Sequence, residues 1–225
     1  PYRSFFGFRD ENGWPDNTSY EGWWDYDTLP KLNYEGSEEL YDYILGIAAK
    51  WVSAPYYVDG WRLDVAADLG HSSEFNHKFW RDFRKAVKTA NPEALILAEH
   101  YGDPKDWLEK GDQWDTVMNY DAFMEPLTWF LTVMEKHSDE YIPEKKGKAD
   151  DFDGAMRHFM ASFQTSQLQC AMNELSNHDH SRFLTRTNGT AGRVETHGSE
   201  AADYGVNFGI FREAVAVSYT HLRAH

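Results

Sequence analysis

A chain of 225 residues with 41% hydrophobic side chains can bury one large core or two small ones, a globular rather than a disordered composition. Its formal net charge of −15 works against nucleic acid or an anionic membrane as a partner, because phosphate binding needs clustered Lys and Arg; a neutral ligand fits better. No apolar run reaches the roughly 18 to 20 residues of a membrane span and no leader opens the chain. It begins at Pro1 rather than Met, so its true start is expected upstream or removed and the missing leader does not decide localisation; a cytoplasmic setting is the expectation carried forward.

Residues 1–36 are rich in Gly, Trp, Tyr, Asn and Asp with little periodicity and read as a long irregular segment. Its aromatic residues, Trp23-Trp24-Asp25-Tyr26-Asp27 above all, could stack on sugar rings, the alternative being that they are core. Asn17-Thr18-Ser19 and Asn188-Gly189-Thr190 match the glycosylation acceptor pattern, too short a pattern to carry weight. Ser37 then caps a helix with Glu38 and Glu39 in its first turn and Leu40, Tyr43, Ile44, Ile47, Ala48 and Trp51 at helical spacing, ending before Ala54-Pro55.

A strand leads to Asp64, and a second helix follows Ser72 or Ser73 with Phe75, Phe79, Phe83 and Val87 on one stripe until Asn91-Pro92. Ala94-Leu95-Ile96-Leu97-Ala98 is a strand ending at Glu99. Pro104 opens a short helix that Gly111 closes, Thr116–Tyr120 is another strand, and 122–136 and 152–169 read as helices. Cys170, the single cysteine, excludes an internal disulfide and reads as a buried small side chain. The run Ala171–Leu175 leads into Asn177-His178-Asp179. Strands alternating with helices imply an α/β fold with a parallel sheet, doubly wound or a barrel. No Gly-rich phosphate loop follows any strand, and carboxylates at successive strand ends favour the barrel.

Cleavage of a glycosidic bond by two carboxyls needs one that stays protonated for the leaving oxygen and one that stays ionised against the developing positive charge. Arg62 lies two residues before Asp64, on the same strand face, and a guanidinium there keeps a carboxylate ionised and oriented; Asp64 is thus the natural nucleophile. Glu99 follows an apolar strand with no cation at i−2, which suits a general acid and base. Asp179 would stabilise the charged transition state beside His178. A single carboxylate after a strand is ordinarily a cap or a solvated loop residue, but three at three strand ends, one beside Arg and one beside His, point to chemistry. Asn177-His178-Asp179-His180 with His100 could also be read as metal ligands, though the spacing matches no zinc pattern. Asp150-Asp151-Phe152-Asp153-Gly154 lacks the late Glu of a calcium loop and reads as an acidic helix start, and Glu144–Lys148 as a solvated loop.

At these residues the sequence resembles the α-amylase family of glycoside hydrolases, within it the neopullulanase, cyclomaltodextrinase and maltogenic-amylase group. Asp59-Gly60-Trp61-Arg62-Leu63-Asp64-Val65-Ala66 resembles that family's strand-four motif, Ile96-Leu97-Ala98-Glu99 its strand-five motif, Asn177-His178-Asp179 its strand-seven motif, and Leu29-Pro30-Lys31-Leu32-Asn33 the short motif of the neopullulanase side. The resemblance implies Asp64 as nucleophile, Glu99 as proton donor and Asp179 as transition-state stabiliser, with Arg62, His178, Asn177, Lys31, Asn33 and His100 binding substrate. It implies a partial (β/α)8 TIM barrel covering about strands 4 to 7: a loop segment over 1–36, barrel over 37–216, and a non-native tail over 217–225. The strand-three motif is absent, so the barrel's first strands are expected upstream and the 225 residues alone are expected to be inactive. The substrate implied is an α-glucan, with hydrolysis or transglycosylation through a glucosyl-Asp intermediate, no cofactor (a structural calcium ion being compatible but unsupported), and a homodimer as the full-length form. The alternative is a non-catalytic glycan-binding or scaffold relative on the same barrel.

Overall fold

The computed structural model describes residues 2–10, 12–13, 19–192, 198–202 and 204–220. Asn17-Thr18 and the tail beyond Thr220 lie outside the described residues. The chain divides into two compact units, Pro1–Ile96 with Asp112–Trp114, and Leu97–Gly111 with Asp115–His225. None of the described helices is long and apolar enough to cross a membrane.

In the first unit the N-terminal segment is less irregular than its composition implies. Antiparallel bridges join Phe6 to Leu32, Phe8 to Tyr20 and Gly22 to Pro30. Gly22 is required there, since a Cβ on it would meet Tyr26 O at 2.1 Å. Helix α1 (Glu38–Trp51) starts as the sequence predicts, with Ser37 Oγ accepting from Leu40 N at 3.3 Å. Leu40 and Ala48 are buried and Ile44 and Ile47 half-buried, whereas Tyr43 and Trp51 are exposed. Strand β1 (Gly60–Leu63) is tied to α1 by Trp61 Nε1 on Ala48 O at 3.0 Å. The strand is shorter than the apolar run because Tyr57 adopts a positive φ of 46°, which turns the chain just before it. Helix α2 (Ser73–Ala90), capped by Ser72, buries Phe79, Trp80, Phe83 and Val87. Strand β2 (Leu95–Ala98) begins beside β1, with Leu95 N donating to Asp59 O at 2.8 Å. The approach is close enough that a Cβ on Gly60 would meet Leu95 O at 2.2 Å.

In the second unit the end of β2 pairs in parallel with β3 (Thr116–Val117), Leu97 with Thr116 and Ala98 with Val117. The strand order is β1-β2-β3. A further parallel bridge joins Met118 to Met172, so the run predicted as a fourth strand makes one bridge and no more. Pro104 precedes the short helix α3 (Lys105–Leu108), as predicted. The predicted helix 122–136 is instead a π-turn over Tyr120–Met124 followed by α4 (Glu125–Thr132). It stops at Thr132 because Val133 turns left-handed, φ 55°. The predicted helix 152–169 is two helices, α5 (Ala149–Met160) and α6 (Thr165–Gln169). Gln164 and Gln167 cap one another across the start of the second, which re-initiates the helix there. Asp150 and Asp151 lie in the first turn of α5, the acidic helix start read from the sequence. Because α6 ends at Gln169, Cys170 falls at its C-cap and is exposed, correcting its expected burial. The short α7 (Phe183–Arg186) and α8 (Phe208–Thr220) complete the order, and Phe183 and Ala214 share a core cluster with Phe123 and Leu127.

Candidate active site

Asp64 follows the last residue of β1 directly. Arg62, two residues back, pairs through Nη1 with Asp64 Oδ1. The side chains are 32% and 78% exposed, so solvent screens the pair and its main effect is to orient the carboxylate. The turn that carries Asp64 is held from below by α2. Val65 has φ 42° in the left-handed region, where a β-branched residue is strained. The buried Asn76 amide donates to Ala66 O at 3.0 Å, Ala67 O at 3.1 Å and Leu69 O at 2.9 Å, and Trp80 Nε1 to Ala66 O at 2.8 Å. The N-terminal segment reaches the same turn, because Trp23 Nε1 and Trp24 Nε1 both donate to Asp68 Oδ2, at 3.2 and 3.0 Å. Trp24 remains 71% exposed. Lys31 Nζ lies 3.8 Å from Glu21 Oε1, and Asn33 Oδ1 accepts Gly36 N at 3.0 Å, closing the turn before α1.

Glu99 belongs to the second unit. It follows β2 directly and is 5% exposed. Tyr120, the first residue of the π-turn that follows β3 and 1% exposed, brings its hydroxyl to 3.4 Å from Glu99 Oε1. Asn177 Nδ2 donates to that hydroxyl at 3.0 Å and to Glu174 Oε1 at 2.9 Å, and Asn177 Oδ1 accepts Asp179 N at 2.9 Å. Arg182 Nη1 donates to Asn177 O, fixing the loop that carries Asp179. His178 Nε2 lies 3.3 Å from Asp179 Oδ2, both side chains being well exposed. Burial pushes the Tyr101 phenol up to about 12 and the Tyr120 phenol higher still, so both remain proton donors throughout the working range. His100 packs at a tilt against Trp107 with centroids 4.9 Å apart, and its Nε2 lies 3.3 Å from Asp103 O. With Gly102, Asn119, Tyr120, Asp121 and Phe163 it lines a small open cleft.

Of the residues read from the sequence, Arg62 and Asp64 are brought together in the first unit, and in the second Glu99, after β2, and Asn177, His178 and Asp179, after the Met172 bridge, are linked through the Tyr120 hydroxyl. Tyr101, Tyr120 and Asn76 were not singled out, and His180 was named only as a conceivable metal ligand. Of the first three, Tyr120 alone carried a signal, as the polar residue closing the predicted strand Thr116–Tyr120.

Strands of a parallel α/β sheet running out into carboxylates form the architecture of barrel enzymes that work by carboxyl chemistry. The alpha amylase catalytic domain pattern matches residues 3–204, and the chain belongs to that family. It is 34% identical over 205 residues to neopullulanase 2 of Thermoactinomyces vulgaris, a match covering 82% of this chain and 31% of that protein. Identity to the cyclomaltodextrinase of Thermoanaerobacter pseudethanolicus is 32% over 212 residues, 85% of this chain and 33% of that one. The solved structure of cyclic alpha-maltosyl-(1→6)-maltose hydrolase from Arthrobacter globiformis, in complex with that sugar, superposes with a TM-score of 0.63 at 26% identity, over 89% of this chain and 39% of that one. The chain spans about a third of the length of the curated relatives it matches.

Proposed function

We propose that this chain carries the catalytic carboxyls of a retaining α-glucan hydrolase or transglycosylase, cleaving α-1,4 bonds, and α-1,6 bonds in branched substrates, in maltooligosaccharides, starch, pullulan or cyclodextrins. The observation that supports it is the difference in surroundings between the two strand-end acids. Asp64 is paired with a guanidinium and open to water, while Glu99 is buried beside the Tyr120 hydroxyl. The names of the neopullulanase and cyclomaltodextrinase relatives point to the same substrate class. The segment over 37–216 is read as strands 4 to 7 of the barrel with their helices.

The first step forms a bond from Asp64 Oδ to the anomeric carbon and breaks the glycosidic C–O bond, while Glu99 gives its proton to the leaving oxygen. Arg62 holds Asp64 in line, and Asp179 and His178 meet the positive charge that spreads over the sugar carbon and ring oxygen. In the second step Glu99 takes a proton from water, or from a sugar hydroxyl in transfer, and that oxygen displaces Asp64 with net retention. Lys31, Asn33, Asn177 and His100 are assigned to substrate binding, and the complete protein to a homodimer.

In the full-length protein, Asp64→Asn is expected to lower kcat on maltooligosaccharides by at least about a thousandfold with the fold intact, as loss of a covalent nucleophile does. Ordinary turnover by that variant would remove Asp64 from the role.

A further inference from the structure

We propose that His180 is a positioning residue for the Glu99 carboxyl, acting through a chain of hydrogen bonds whose direction is fixed by the Asn177 amide. The proposal rests on the reading of Glu99 as acid and base. All its members lie in the second unit. The orientation of the amide follows from its other neighbours: the Asp179 backbone N–H can only donate, so the atom it meets at 2.9 Å is Oδ1, and Nδ2 faces Glu174 Oε1 at 2.9 Å. His180 Nδ1 lies 2.6 Å from Asn177 Oδ1 and must therefore carry the ring proton. That leaves Nε2 as an acceptor, met by the Tyr101 hydroxyl at 3.2 Å.

On the far side Asn177 Nδ2 donates to the oxygen of Tyr120 at 3.0 Å, which leaves the Tyr120 O–H to donate onward. Three acceptors lie within reach, Met118 Sδ at 3.3 Å, Glu99 Oε1 at 3.4 Å and the Tyr101 hydroxyl oxygen, and the carboxyl oxygen is the strongest of them. The donor sequence thus runs Tyr101, His180, Asn177, Tyr120, Glu99. The O–H···O contact to Glu99 is long, as such contacts often are before substrate arrives. The chain is held rigid by packing: Tyr101 stacks on Tyr120 with centroids 4.3 Å apart, His137 on His180 at 4.8 Å, and His180 is 5% exposed. Burial, reinforced by His137, Arg186, Lys136 and His178, keeps the imidazole uncharged, so Nε2 stays available to Tyr101. With Oε1 held by Tyr120, the plane of the Glu99 carboxyl is set, and with it the direction in which its proton is offered.

Misdirecting an acid matters only where the leaving group needs a proton. We would therefore compare kcat/KM of the full-length enzyme on a maltooligosaccharide and on an aryl α-maltoside with a strongly acidic phenol as leaving group. His180→Phe keeps a ring to stack on His137 but removes both nitrogens. We expect kcat/KM on the oligosaccharide to fall about tenfold or more while the aryl substrate changes less than about twofold. Tyr120→Phe keeps the stack on Tyr101, removes only the hydroxyl next to Glu99 and should show the same selectivity; it carries the test if His180→Phe does not fold. An equal fall on both substrates, or none on either, overturns the proposal. Glu99→Gln separates the two readings: if it also lacks the selectivity, the acid/base assignment fails, and if it shows the selectivity while the other two variants do not, only the role of His180 fails.

Discussion

His180 is an imidazole placed where charging it is costly. Burial first, then His137 stacked against it, Arg186, Lys136 and His178, hold its pKa down to about 3, against 6.5 for a free side chain. Between those values the unfolded chain binds a proton that the folded chain does not. Its contribution to stability is therefore complete above pH 6.5 and is lost as pH falls toward 3. The full-length protein should lose part of its Tm between pH 6.5 and 4, and His180→Phe should flatten that slope; an unchanged slope in calorimetry would mean that the imidazole titrates normally. The local sequence marked this residue only as a conceivable metal ligand beside Asn177-His178-Asp179; its burial was not legible, because that comes from Tyr101 and His137, far away in the chain.

Among the elements, α2 does more than cover the sheet. Its Asn76 makes three hydrogen bonds to the turn following Asp64, and an alanine there would take that donor from the half-buried Ala67 and Leu69 carbonyls and leave Ala66 O to Trp80 Nε1 alone. Asn76→Ala should destabilise the protein by about 1–3 kcal/mol in urea titration and, if Asp64 is the nucleophile as proposed, lower kcat with little change in KM, since it is the turn carrying Asp64 that loosens. A stability loss without any change in kcat would confine Asn76 to structure. The apolar stripe of α2 and both serine caps were legible because they depend on residues three or four apart. Asn76 was not, since a polar residue within an amphipathic helix gives no hint of which carbonyls it will meet. Helix ends in the second unit escaped for a related reason. The left-handed Val133 and the paired caps Gln164 and Gln167 interrupt stretches whose apolar spacing runs straight through them.

For the molecule as a whole, the alternation of strand and helix was legible from periodicity, and the parallel pairing of β2 with β3 bears it out. Strand lengths were not, because tertiary pairing decides where an apolar run stops being a strand: Ala171–Leu175 makes a single bridge at Met172. The carboxylates stood out as polar residues ending apolar runs, whereas the hydrogen-bond chain behind Glu99 joins residues up to 79 apart and has no local pattern. In the proposed mechanism these acids act through a covalent bond from sugar to Asp64. The full-length protein, incubated with an α-maltosyl fluoride bearing a further fluorine at the sugar's C5 to slow the second step, should gain one sugar by mass. Peptide mapping should place that sugar on the peptide containing Asp64. A sugar found on any other residue, or turnover with inverted product and no adduct, would contradict the account.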